Sequence, residues 1–300
     1  MENAQGHPDE GREPFDVAMA RNGLVSSLGL SRMDFVESTG STNTDLLAAL
    51  AAEPATSHPD LSVLIADHQD AGRGRLDRQW QAPPRAALAI SLVLRPVNAQ
   101  GLPLASDRYS WFSLLAAEAW REALVDVCGL RVQVKWPNDL MSGEKKLAGI
   151  LAQLYFPSDG APPVVVLGTG VNVSLDEDEL PVPTATSLRL LGAGSLDRNT
   201  LVAGYLRRFT ALYRDYCNAD GDPEAGLAGD GSVLHRLTQA TVTLGRTVRA
   251  QLPGDREVIG VAERLDHDGS LVVRDEGGTV HTVTAGDVIH LRPHRPDGHA

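Results

Sequence analysis

Cysteine is scarce in this 300-residue chain, with Cys128 and Cys217 far apart and neither belonging to a CxxC pair or a Cys/His cluster. That excludes a disulfide framework and a structural zinc site, and both thiols read as buried small hydrophobes. Long apolar runs are also missing. Apolar stretches such as 86–94 and 164–167 fall well short of the roughly 20 residues that cross a bilayer. The polar N-terminus lacks the charged start and apolar run of a signal peptide. No membrane span or export is expected, which leaves a cytoplasmic protein. Positive charge is in deficit as well. A formal net charge of −12 repels nucleic acid, so no nucleic-acid partner is expected, and any anionic ligand needs a local cationic site. The nine histidines show no metal-ligand spacing, no internal repeat is visible, and metal ligands stay unassigned.

What is present is an ordinary globular composition, 42% hydrophobic and 22% charged, in a chain long enough for one large domain with a satellite. Residues 1–30 show little sustained periodicity and read as a flexible tail. A short strand at 33–36 leads through Ser-Thr-Gly-Ser-Thr-Asn into a helix at 45–52, which places a hydroxyl-rich loop at a helix N-terminus. Strand-like runs at 61–66 and 86–94 flank a polar loop, and 107–127 has helical spacing. Strands near 131–135, 147–155 and 164–173 follow one another without helices, so hairpins and an antiparallel or mixed sheet are expected. Helices broken at Gly221, Asp222 and Pro223 fill 199–237. From Thr241 short alternating segments meet turn signals about every ten residues, the pattern of a small β-barrel. This is an α+β chain divided as a tail at 1–30, a main domain at 31–238, a small β domain at 239–293 and a second tail at 294–300.

Three segments carry chemistry. In 67–80, alternating Gly and Arg (Gly72, Arg73, Gly74, Arg75) let the backbone approach a ligand while guanidinium forks meet anionic oxygens, and Trp80 offers a face for stacking on a base. Taken alone, this is equally readable as a solvated loop in which Asp67, Asp70 and Asp77 balance the arginines. In Lys135-Trp136-Pro137-Asn138-Asp139-Leu140, followed by Lys146-Leu147-Ala148-Gly149, a turn sets an amide and a carboxylate near a lysine at the head of the next strand. Gly168, Gly170 and Asn172 interrupt an apolar strand, marking a bulge or a close backbone approach.

In combination and order, Glu37 to Asn43, Gly72 to Trp80, KWPNDL, KLAGIL and Gly168 to Asn172 resemble the motifs of the biotin protein ligase family, closely over about 33–175 and loosely in the C-terminal segment. The resemblance implies a mixed-sheet catalytic domain like that of class II aminoacyl-tRNA synthetases, followed by an SH3-like domain. It also implies ATP and Mg²⁺, biotin as substrate, and biotin carboxyl carrier domains as partners of a monomer or weak homodimer. Carried over by position, Ser41, Thr42, Asn43, Gln69, Arg73, Gly74, Arg75 and Lys146 correspond to biotin and biotinyl-adenylate contacts, with Lys146, Arg73 and Arg75 as the catalytic cations. Trp80, Asn138, Asp139, Asn172 and Arg292 correspond to the nucleotide side. Two residues depart from the family pattern: Asp77 stands where glycine is usual, and Thr169 where isoleucine or valine is usual. The rivals are a lipoate–protein ligase of the same fold, a non-catalytic biotin-sensing module, and a DNA-binding repressor. For the last, about 30 residues ahead of the core look too few for a winged helix.

Overall fold

Side chains alternate between the two faces of a strand, and in the main sheet the alternation separates a packed face from an open one. The computed structural model describes residues 12–76, 78–226, 231–252, 256–284 and 288–290. Chain order begins with α1 (Val17–Leu28), β1 (Arg32–Thr39), α2 (Thr42–Ala52), β2 (Ser62–Gln69), the two-residue strands β3 (Gly72–Arg73) and β4 (Gln79–Trp80), and β5 (Ala87–Leu94). It continues through α3 (Trp111–Cys128), β6 (Gln133–Lys135), β7 (Asp139–Ser142), β8 (Lys145–Tyr155), β9 (Val164–Asn172), α4 (Arg198–Asn218) and α5 (Val233–Ala240). Then come β10 (Thr247–Leu252), β11 (Arg256–Leu265), β12 (Leu271–Asp275), β13 (Val280–Val283) and β14 (Val288–His290).

Seven strands form a sheet in the order β1-β2-β5-β9-β8-β7-β6. β1 and β2 are parallel and the other neighbours antiparallel, the mixed sheet expected from the sequence. On one face Leu88, Ile90, Leu92, Val165, Leu167 and Val171 pack beneath α3 and α4. There Trp120 stacks on Tyr205 at 4.4 Å and 7°, inside a fully buried aromatic layer, and each such side chain contributes roughly 1.5–3 kcal/mol by leaving water. On the other face Leu46 and Leu50 of α2 cover Leu64, Val93, Val164 and Val166. Beyond α2 that face carries Ser91, Gly149, Gly168 and Gly170 in place of large side chains, and the sheet there is open.

Two expectations change. The segment taken as a tail at 1–30 contains α1, capped by Asp16, which accepts from the Met19 amide at 2.8 Å. Arg12, Phe15 and Leu24 are buried, and Phe15 stacks on Phe35 at 5.4 Å. Ala20 and Leu24 are buried along α1 and Val17, Val25 and Leu28 pack against the core at the same helical spacing, a short stripe that tertiary packing holds in place. In the C-terminal part, strands pair in the order β13-β12-β11-β10-β14 as a five-stranded antiparallel sheet. No ladder joins β13 to β14 among the described residues, so the barrel inferred from turn spacing is not seen as a closed one. Turn signals count strands and say nothing of closure.

The small sheet is seated on the main domain through the turn between β11 and β12. Trp111 Nε1 donates to the His267 carbonyl at 2.7 Å, Trp136 Nε1 to the Gly269 carbonyl at 2.9 Å, and the Ser110 hydroxyl to the Asp268 carbonyl. Gly269 has φ +79°, and a Cβ there would meet Ser110 Oγ at 3.2 Å. A side chain would both strain the turn and push it off its seat.

Candidate active site

A cavity of about 730 Å³ opens over the glycine-bearing face of the main sheet. Gly149 and Gly170 are cross-strand partners, and a Cβ on Gly170 would come within 2.6 Å of the Trp80 indole. One on Gly149 would come within 3.4 Å of the same ring. The two glycines are thus a flat floor on which Trp80 lies, the close approach that an interrupted strand signals. Gly168, paired with Leu151 and Ser91, makes the same kind of room for Asn43, whose Oδ1 would sit 2.3 Å from an added Cβ.

That room lets the loop ahead of α2 reach the sheet. The Thr42 amide and hydroxyl contact Gln69 Oε1 at 2.9 and 3.1 Å. The Ser91 hydroxyl lies 2.7 Å from Thr42 Oγ1 and 2.6 Å from Asn43 Oδ1. Asn43 Nδ2 donates to the Leu151 carbonyl at 3.1 Å and to Gln153 Oε1 at 2.9 Å. Asn43 is therefore bound into the scaffold by both ends of its amide, and it lines the cavity together with Ser41, Thr42 and Gln69. Ser41 is the N-cap of α2, one turn earlier than the helix start read from sequence.

At the other end Lys146 Nζ is 2.6 Å from Asp139 Oδ1 and 5.9 Å from the Trp80 ring centroid. The ammonium is held between a carboxylate and an aromatic face, both favourable to a cation. Asn138 and Asn172 brace this end: Asn138 Nδ2 donates to the Ile150 carbonyl at 2.8 Å and Asn172 Nδ2 to the Thr186 carbonyl at 2.9 Å. Arg73, Gly74 and Arg75 reach the cavity from a small ribbon in which β3 pairs with β4, closed by the Gly74 amide on the Arg78 carbonyl at 2.6 Å. Lys145, next to Lys146, is exposed and does not line the cavity.

All twelve described residues singled out in sequence meet in this one cavity. Arg292 and Asp77 lie outside the described residues. Thr169 turns its side chain to the opposite face, with Leu167 and Val171, towards Tyr205 of α4. Burial pushes the Tyr205 phenol well up, and the Thr169 hydroxyl offsets part of that rise. Neither hydroxyl has a hydrogen bond of good geometry among the described residues. This departure from the family pattern concerns the helix–sheet interface and leaves the cavity floor unchanged.

Sequence reasoning missed several parts. Ser91 could have been found, because a hydroxyl inside Ala87–Leu94 must be hydrogen-bonded when buried. Lys135, part of a motif already noted, and Glu144, in the turn between two of them, also line the cavity. The wall at 181–185 carried no signal. It is made by the Lys146 backbone, whose amide donates to the Thr184 carbonyl at 2.7 Å and whose carbonyl accepts from the Thr186 amide at 2.9 Å. Among the described residues no group of three or more His, Cys, Asp or Glu side chains is arranged to hold a metal. Among the described residues the cavity's carboxylates are Asp139 and Glu144.

Residues 35–172 match the biotin/lipoate A/B protein ligase family and 243–291 the biotin protein ligase C terminal domain. The chain is 39% identical over 288 residues to a biotin–[acetyl-CoA-carboxylase] ligase of Mycobacterium tuberculosis, covering 95% of this chain and 98% of that protein. It is 30% identical over 272 residues to the bifunctional ligase/repressor BirA of Escherichia coli, covering 88% of this chain and 76% of that one. In fold it is similar to a biotin protein ligase from Aquifex aeolicus solved in complex with biotin and ATP. That likeness has a TM-score of 0.67 at 21% identity over 88% of this chain and all of that one. With two family models matched in order along the chain and a relative 39% identical over nearly its whole length, the chain belongs to the biotin protein ligase family.

Proposed function

We propose that this protein activates biotin with ATP and transfers it to a lysine of a biotin carboxyl carrier domain. The observation that carries the reading is the gathering of Lys146, Asp139, the Arg73–Arg75 ribbon and the Trp80 floor in one cavity. Bringing a carboxylate against an α-phosphate sets like charges about 4 Å apart, about 4 kcal/mol of repulsion at an effective dielectric near 20. Lys146, Arg73 and Arg75 are the cations to offset it. The biotin carboxylate oxygen forms a bond to the α-phosphorus while the bond to the bridging oxygen breaks and pyrophosphate leaves. The carrier's uncharged lysine amine then attacks the acyl carbon of the mixed anhydride, AMP departs, and the amine loses its proton.

Ser41, Thr42 and Gln69 supply the polar contacts for biotin, and Trp80 with the loops braced by Asn138 and Asn172 frames the nucleotide. A magnesium ion would arrive with the nucleotide phosphates, with Asp139 and Glu144 as the carboxylates of the site; it would screen phosphate charge. The match of 243–291 to a domain described for biotin protein ligases favours biotin over lipoate. No described helix is long and apolar enough to cross a membrane.

The test is to combine the protein, MgATP and a biotin carboxyl carrier domain with either biotin or lipoate and to weigh the carrier intact. One biotinyl group on the carrier is expected. Addition of lipoate in its place, or of neither, overturns the proposal.

A further inference from the structure

Residues 12–16, placed by sequence in a tail, pack behind the loop that leads into one wall of the site. Arg12 is 8% exposed. Its Nε donates to Ser174 Oγ at 3.1 Å, and its Nη2 to the Ser174 carbonyl at 3.1 Å and to the Glu179 carboxylate. Glu179 also accepts from the Asp176 amide at 2.9 Å, closing the short turn Glu177–Glu179. Burial raises Glu179, but the Asp176 amide and the Arg12 guanidinium outweigh it and hold the carboxyl below its ordinary value. Two residues on, Pro181 and Val182 line the cavity. The same loop is pinned at its far end, where Thr184 and Thr186 pair with the Lys146 backbone and Thr186 also meets Asn172.

The segment carrying Arg12 is itself anchored. Asp16 and Asn199 exchange hydrogen bonds at 2.9 and 2.8 Å, and Arg198, paired with Asp67, donates to the Glu13 carbonyl at 2.9 Å. Arg12 is thus a buried guanidinium on a fixed backbone, gripping the near end of a loop whose far end is gripped by the site. A wall between two such points keeps its shape without spending substrate binding energy on ordering it.

We infer that Arg12 is a positioning residue for the nucleotide end of the cavity, acting through Glu179 on the 181–185 wall and touching neither substrate. This rests on the proposed ligase activity, which assigns that end to the nucleotide. It is tested on the full chain by initial rates of biotin-dependent pyrophosphate release, for the wild type, Arg12→Met, Arg12→Lys, Glu179→Gln and the double variant Arg12→Met/Glu179→Gln. Arg12→Met is expected to raise KM for ATP about tenfold, with KM for biotin within about twofold and kcat within about threefold. Arg12→Lys should recover part of the loss. Glu179→Gln should reproduce it, and the double variant should be no worse than either single change, since the two residues act as one link. If Arg12→Met fails to fold, Arg12→Lys and Glu179→Gln carry the same KM comparison. Equal effects on both substrates, unchanged KM for ATP, or additive losses overturn the inference. A wild-type chain that releases no pyrophosphate with biotin overturns the ligase reading instead.

Discussion

Lys146 and Asp139 face each other across the β7–β8 hairpin as an ion pair of 2.6 Å, with the Lys146 side chain 35% exposed and that of Asp139 19% exposed. The carboxylate holds the ammonium in the cavity before any anionic substrate arrives, so little reorganisation remains for the reaction. Lys146→Met is expected to slow adenylate formation by about 10²–10³, the usual cost of losing one transition-state charge stabiliser. Lys145→Met, one residue away and exposed, should leave the rate within about twofold. Single-turnover pyrophosphate release, with circular dichroism to confirm folding, compares the two. Equal losses would undo the assignment.

Gly170 carries the Trp80 ring, and an added methyl would overlap it at 2.6 Å. Gly170→Ala should therefore displace the indole and weaken nucleotide binding about tenfold or more, with folding retained. Trp111 and Trp120 are buried away from the cavity, Trp136 is buried at its edge and Trp80 is partly exposed within it, so most of a fluorescence change on adding biotin and ATP should come from Trp80. It should be largely lost in Trp80→Phe.

Thr169→Val restores a residue type usual in the family but removes the polar neighbour of the buried Tyr205 hydroxyl. Since neither hydroxyl has a well-formed hydrogen bond to lose among the described residues, stability should change by no more than about 1 kcal/mol. KM for both substrates should stay within about twofold, because the side chain faces α4. Urea unfolding and steady-state rates read the two effects apart, and a catalytic defect without a stability change would show that Thr169 faces the site.

The Trp136 indole fastens the site's Lys135–Asp139 turn to the small sheet through the Gly269 carbonyl. Trp136→Phe keeps most of the ring and deletes this bond, and about 1 kcal/mol of stability should go with it. Removal of the whole small sheet is a harsher change, because it uncovers Trp111 and Trp136 together; such a chain should aggregate or unfold rather than persist as an inactive core. A monomeric, fully active truncated protein would contradict this.

Acid should release the Arg12 link. Because Glu179 has a folded pKa below its ordinary value of 4.5, the stabilisation is present above that value and is lost as pH falls through the depressed one. The stability difference between the wild type and Glu179→Gln should be constant from neutral pH down to about 5 and shrink below. Urea midpoints across that range measure it, and a difference that grows on acidification would reverse the sign.

The motifs were legible because their chemistry is local. Gly-Arg alternation, Pro-Asn-Asp in a turn and a lysine at a strand head each announce themselves over a few residues, and periodicity located the strands that bear them. The 181–185 wall and the Arg12 segment were not legible. Neither has a composition that marks it, and both are ordered by partners more than 30 residues away: Lys146 for the wall, Ser174 and Glu179 for Arg12.

The amino-acid sequence by itself determined the α+β class, the mixed sheet and twelve of the residues that line the cavity, since side-chain chemistry and two short periods are written along the chain. Only the tertiary structure decided that Thr169 faces the helices, that Asn43 is bonded into the scaffold, that the small sheet shows no closing ladder among the described residues, and that residues 12–28 belong to the folded body. Those outcomes depend on which distant groups come within hydrogen-bonding reach, and pairing across a hundred or more residues is set by the packed whole rather than by any local pattern.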